Sequence, residues 1–212
     1  MKKIVSIFLI LLLFMFQKSP FVLANDSTLT WQDDGIPEEP IYNELTGEFE
    51  IYTPNQLAWI AYKTNSTTAA SDLDGWSFSI MNDIDLSGRC WIPIKKFSGI
   101  IKGNNRTLRN LYLNSDENYS GLFALLSSAT VSDLNLSNVS IISDSLFVGS
   151  LSGYANRSLI SNVKSDGNVS GNSCTGGLVG HCNATNIILS SFNGNVVGLD
   201  KVGGLVGCYE DT

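Results

Sequence analysis

Histidine is almost missing from this 212-residue chain, where His181 stands alone. A Ser-His-Asp triad and a zinc site built from imidazoles both need more than that, so hydrolase chemistry of either kind is disfavoured. Charge is also scarce: 16% of residues are charged, with 13 Lys+Arg against 20 Asp+Glu and a formal net charge of −7. Bases scattered this thinly build no clustered face for phosphates, which argues against a nucleic-acid partner. The body of the chain has no apolar run of about 20 residues, the length a membrane-crossing helix needs. Cys90, Cys174, Cys182 and Cys208 include no Cys-x-x-Cys pair, which disfavours a zinc knuckle.

The long apolar run that does exist is at the start. Lys2 and Lys3 precede an apolar stretch over residues 4–16, and Pro20 then leads to Val22-Leu23-Ala24. A basic start, a short apolar segment and small residues before a cleavage point form a secretory signal peptide over residues 1–24; a retained anchor is the competing reading. The protein is therefore expected to be secreted or at the cell surface. In that oxidising setting four cysteines permit two disulfides.

Residues 25–50 are rich in Asp and Glu and carry proline, and are expected to form a solvated lead-in with little packing. Thr53-Pro54-Asn55-Gln56 then supplies an N-cap, a proline suited to the first helical position and a capping-box Gln. Leu57, Ile60 and Ala61 share one face at helical spacing, which predicts a helix over about 54–63. From Trp76 onward the period changes to two. Trp76, Phe78 and Ile80 alternate, as do Leu111 and Leu113, Leu134 and Leu136, and Val139 and Ile141, with Ser, Asn and Asp between. Short strands with polar turns follow.

An internal repeat decides the architecture. Val148-Gly149-Ser150-Leu151-Ser152-Gly153 returns as Thr175-Gly176-Gly177-Leu178-Val179-Gly180 and again as Val202-Gly203-Gly204-Leu205-Val206-Gly207, in steps of 27 residues. Ser120-Gly121-Leu122-Phe123 is a weaker first copy. Such a period marks a solenoid or array, and without helical periodicity each repeat must be one coil of strands and turns. A propeller blade needs about 40–45 residues, so a three-faced coil fits better. The expected fold is all-β: a right-handed parallel β-helix over residues 51–212 with a short N-terminal capping helix. Repeats run over about 117–212, and the last rung looks incomplete. Leucines should stack inside, amides should form ladders at turns, and glycines should sit at sharp bends or at positive φ.

The Gly-Gly-Leu-Val-Gly repeats resemble GLUG-motif repeat proteins. Tyr52-Thr53-Pro54-Asn55-Gln56-Leu57-Ala58-Trp59-Ile60-Ala61 resembles the leader found before such repeats in bacterial surface proteins, and Asp83-Ile84-Asp85-Leu86-Ser87-Gly88 and Trp91-Ile92-Pro93-Ile94 continue the pattern. The resemblance implies a noncatalytic surface module that acts in adhesion or ligand display, with a host glycan or protein as its ligand and with further repeats or domains in a longer parent chain. Related segments occur in adhesin-like proteins and in N-terminal regions of IgA-specific zinc metallopeptidases. Those enzymes carry zinc on a His-Glu-x-x-His helix, a motif this chain lacks, so their activity does not carry over and no cofactor is implied.

The candidate site residues each have a plainer role beside the functional one. Asp83 and Asp85 point to one face of a strand, as calcium ligands would, or they cap a turn. The same pair is the seed of the alternative function, a carbohydrate-active β-helix enzyme acting as a polysaccharide lyase or hydrolase. Other acids and bases in the repeats, such as Asp133, Asp166 and Lys164, occupy non-equivalent positions, so no catalytic residue is assigned. Gly149, Leu151, Gly176, Gly177, Leu178, Gly180, Gly203, Gly204, Leu205 and Gly207 are structural repeat positions. Cys182 and Cys208 lie 26 residues apart, one short of the period. A one-residue offset reverses side-chain direction, so a Cys182–Cys208 disulfide is expected only if this is a corner.

Overall fold

A computed structural model describes residues 29–66 and 73–210. The expected signal peptide lies outside the described residues. The described residues wind as a β-solenoid of about 6 turns, mostly strand with one helix. The strands form three sheets, one of 10 strands and two of 4. One turn runs Phe123–Ser127, Thr130–Ser143 and Phe147–Val148, and the next repeats it as Ser152–Asn156, Leu159–Ser170 and Thr175–Gly176. Each segment pairs in parallel with its equivalent one turn away, so like residues stack. Ile101, Val131, Ile160 and Ile187 form one ladder, and Val148, Thr175 and Val202 another. The interior members of these ladders belong to a single core that includes Leu108, Leu134, Leu151, Val163 and Leu178, each 0% exposed.

The motif glycines flank the sharp bend at the inward Leu, one of the two places expected for them, and do not take positive φ. None of Gly149, Gly176, Gly180, Gly203 and Gly207 has positive φ. They lie where the two-residue strand and the strand after it fold face to face around the inward-pointing Leu. A Cβ on Gly180 would fall 2.6 Å from the carbonyl oxygen of Gly153 and 2.8 Å from the carbonyl carbon of Phe147. The motif spends its glycines on close backbone approach. Positive φ falls instead to the repeat glycines Gly167 and Gly194 and to non-glycine residues, five of them asparagines: Asn104, Asn105, Asn110, Asn138 and Asn162. These do form the expected amide ladders. Asn138 Nδ2 donates to Asn110 Oδ1 at 2.6 Å, and Asn110 Nδ2 donates to Asp85 Oδ1 at 2.8 Å. A side-chain amide both tolerates the left-handed region and bonds to the next turn.

Helix Pro54–Asn65 begins as its sequence requires, with Thr53 Oγ1 accepting from the Gln56 N–H at 3.2 Å. It buries Leu57, Ala58, Trp59, Ile60 and Ala61 in the N-terminal end of the core. The acidic segment before it is not a loose lead-in. Ile41–Asn43 and Glu48–Ile51 form an antiparallel pair, and the second strand continues in parallel into Ser77–Ile80. Phe49 stacks on Trp76 with ring centres 4.4 Å apart. The acids that suggested solvation are used as partners: Glu48 meets Lys102 and Ser79, Glu50 accepts from Tyr52, and Asp34 meets Arg89.

The disulfide also differs from the expected one. Cys208 pairs with Cys174, with Cα atoms 5.1 Å apart, and Cys90 and Cys182 are free. The register explains the choice. Cys182 stands beside Ala155 and Tyr209 and points inward at 1% exposure, whereas Cys208 stands beside His181 on the outer side. A one-residue offset put the two thiols on opposite faces. Cys174 occupies a corner at φ 30° just before Thr175, where the folded-over strands bring it to Cys208.

Candidate ligand-binding groove

Strand Phe123–Ser127 turns Phe123 and Leu126 into the core and leaves Ala124 and Leu125 toward the outside. The preceding turn has no regular strand here. Its stretch 91–97 follows this strand through isolated bridges from Ile94 to Phe123 and from Phe97 to Leu126, and Lys95 and Lys96 between them are exposed. Ile92, Pro93, Lys95 and Lys96 thereby form one wall of a groove whose other wall is Glu117, Asn118 and Tyr119 and whose floor is Ala124 and Leu125. Its volume is about 580 Å³, within the range of about 300–1,000 Å³ usual for small-ligand clefts.

The helix end fixes the first wall. Asn65 Nδ2 donates to the Pro93 carbonyl at 3.0 Å, and Asn65 Oδ1 accepts from the Lys95 N–H at 3.0 Å. The backbone of Lys95 is held, and its side chain and that of Lys96 stay exposed. Among the described residues neither lysine forms an ion pair, unlike Arg89, Lys102 and Arg109, which meet Asp34, Glu48 and Asp83.

The second wall is backed by a ring stack. Tyr119 and Phe147 are register partners whose rings are stacked at 5.4 Å and 12°. Tyr119 is on the last strand of its four-stranded sheet, so Phe147 covers one side of its ring and the groove lies on the other. Tyr154, beside Leu125 in register, packs against both rings at 6.0 Å. His181 follows one turn on, 4.9 Å from Tyr154. An aromatic stripe thus climbs the coil from the groove to the Cys174–Cys208 disulfide.

His181 is the buried polar member of this stripe at 9% exposure, and neither ring nitrogen has a hydrogen-bond partner among the described residues. Burial lowers its pKa below the usual value, with the Glu210 carboxylate 3.8 Å away pulling in the opposite direction. Burial likewise raises the pKa of Tyr154. The stripe is largely apolar with the Glu210 carboxylate beside its far end, and the groove carries Lys95 and Lys96 on one wall and the Glu117 carboxylate on the other.

Asp83 and Asp85 lie at a different corner. Asp83 accepts from the Thr107 N–H at 2.9 Å and from Arg109 at 2.8 Å. Asp85 accepts from Asn110 at 2.8 Å and from the Ser87 N–H at 2.9 Å, and the Asn110 bond holds its pKa below the ordinary carboxylate value. Both carboxylates join one turn to the next, the role of a cap. Among the described residues no group of three or more His, Cys, Asp or Glu is placed to hold a metal ion.

Sequence reasoning did not single out the groove residues. A signal for the stripe was present: Tyr119 and Phe147, and Tyr154 and His181, recur at about the repeat length, on the opposite alternation from the buried ladder. Lys95-Lys96 carried no such signal, because it stands outside the repeat on a stretch with no regular strand.

The chain matches no protein-family model and no curated protein. Its fold is similar to the crystal structure of a protein from Bacteroides ovatus described as a "putative immunoglobulin A1 protease". The TM-score is 0.56 at 15% sequence identity, covering 83% of this chain and 66% of the other. At that identity the likeness is one of fold.

Proposed function

We propose that this chain is a secreted or cell-surface noncatalytic module that presents a ligand-binding flank, acting in adhesion or ligand display. The observation that carries the reading is the groove with its aromatic stripe, mounted on a rigid stack of strands. Rigid scaffolds that position a concave, largely apolar cleft with few polar groups suit binding. The GLUG-like residues of the repeat point the same way. The enzyme reading has less to rest on. A glycoside-cleaving site needs two carboxylates about 5–10 Å apart flanking the bond, and Glu117 is the single carboxylate lining the groove.

The test is a binding screen of the purified chain against immobilised glycans and extracellular-matrix proteins, run beside an assay for released product from polysaccharides, casein and IgA. Binding weakened by Tyr119→Ala, without turnover, is expected. Product release abolished by Glu117→Gln or Asp83→Asn would replace the reading with the enzyme.

A further inference from the structure

We propose that the groove is a subsite for a carboxylate-bearing sugar of an acidic polysaccharide; the proposal rests on the ligand-binding reading above and names its chemistry. The charge pattern is the first reason. The chain carries a net charge of −7, so its surface as a whole repels polyanions. Adjacent Lys95 and Lys96 nevertheless line the groove without an ion-pair partner among the described residues. Two cations without an ion-pair contact, against the single Glu117 carboxylate on the opposite wall, leave the groove net positive beside its apolar floor and favour one anionic group there. The attraction strengthens where bound ligand excludes water.

The second reason is the wall opposite. Tyr119 is 38% exposed, and Phe147 stacked at 5.4 Å holds its ring in place. A pre-ordered ring face suits the apolar face of a pyranose at little entropic cost. Glu117 and Asn118, on the same wall, are acceptors and donors suited to sugar hydroxyls. Cation, ring face and hydroxyl partners together match a uronate-type sugar.

The third reason disfavours a peptide. Extended peptides usually join a sheet by adding a strand to an open edge. The floor strand Phe123–Ser127 has no open edge: it pairs with Ser152–Asn156 on one side, and Ile94 and Phe97 bridge it on the other. The neighbouring strand Tyr119–Ser120 is two residues long, too short to template one. Recognition in the groove must come from side chains.

Titration calorimetry of the full chain with polygalacturonate and hyaluronan, two uronate polymers of different backbone, tests this. Methyl-esterified polygalacturonate, dextran sulfate and polyglutamate serve as comparisons. At least one uronate polymer is expected to bind, at least tenfold more tightly than the methyl ester, dextran sulfate or polyglutamate. The Lys95→Gln/Lys96→Gln variant should lose at least tenfold and Tyr119→Ala several-fold. Lys164→Gln, on another face, should change nothing, and all variants should melt like the wild type. Uronate binding that is indifferent to the lysine pair, equal for the methyl ester, or matched by dextran sulfate or polyglutamate would overturn the proposal. If the groove instead takes a neutral glycan or a protein, with loss on Tyr119→Ala, the ligand-display reading survives and the acidic-sugar subsite does not. If no probe of the screen or of this set binds, both fall.

Discussion

Gly180→Ala is a one-carbon change that should cost this fold as much as many core truncations. The added Cβ would lie 2.6 Å from the Gly153 carbonyl oxygen and 2.8 Å from the Phe147 carbonyl carbon, and closer still to the Val148 nitrogen. All three are backbone atoms locked in parallel ladders, so relief requires two strands to part by about 1 Å rather than a side chain to swing. Overpacking of this kind costs about 1–3 kcal/mol, and the upper end applies where backbone must move. For a chain of this size about 3 kcal/mol lowers the melting temperature by about 6–12 °C. Gly204→Ala is the matched control, because a Cβ there meets nothing within 4 Å. Neither glycine has positive φ, so alanine is not strained at either by its own backbone. The control should melt within about 2 °C of wild type, or slightly higher because alanine restricts the unfolded chain. Thermal melts followed by far-UV circular dichroism would measure both. If Gly180→Ala melts like Gly204→Ala, the strands are not folded face to face at the motif, and the account of the repeat is wrong.

Leu178→Asp places a carboxylate at a site with 0% exposure in the continuous core; a loss of about 3–5 kcal/mol and a reduced strand signal are expected, and an unchanged melt would place Leu178 outside. Cys182, at 1% exposure with its thiol pushed up to about 12 by burial, should stay unmodified by Ellman's reagent in the native protein and react only on unfolding; two thiols reacting natively would contradict its inward position. Acid should destabilise the fold in two stages. His181 has a lowered folded pKa, so the unfolded chain takes its proton first and stability falls below about pH 6.5, a loss that His181→Gln should remove. Glu48, Glu50 and Asp85 are also held low, chiefly by Lys102, Tyr52 and Asn110, so their contribution is present above about pH 4 and is lost as pH falls through their folded values; a melting temperature flat from pH 8 to 3 would refute both. Asn138→Ala breaks a bond to Asn110 and leaves alanine at φ 53°, which should cost about 1–2 kcal/mol by the same melts, and no change would mean the amide ladder is ornamental.

The coil was legible because its information is local and repeated. Thr53 and Gln56 marked the helix start, alternation marked the strands, and Gly149, Gly176 and Gly203 at equal spacing carried the register that Val148, Thr175 and Val202 display. The reason for the glycines was not legible, since positive φ and close approach leave the same residue in the sequence. The acidic 25–50 segment misled because composition reports charge, while Phe49 and Ile51 alternate on a strand whose partners lie 29 residues on. The groove was hidden for a related reason. Its lysines stand on a stretch that departs from the repeat, and its Tyr119 and Phe147 come together only when consecutive turns stack.

Register is the central claim, and the disulfide reports it directly. Cys182 and Cys208 are nearly one repeat apart, whereas Cys174 and Cys208 are separated by 34 residues and meet only if the corner before Thr175–Gly176 packs on strand Val206–Glu210 of the next turn. A non-reducing peptide map of the purified chain by mass spectrometry should find Cys174 linked to Cys208, with Cys90 and Cys182 as free thiols. A Cys182–Cys208 link in the folded protein would shift the outer turn by one residue, reverse its ladder, and contradict the stacking on which the core and the aromatic stripe depend.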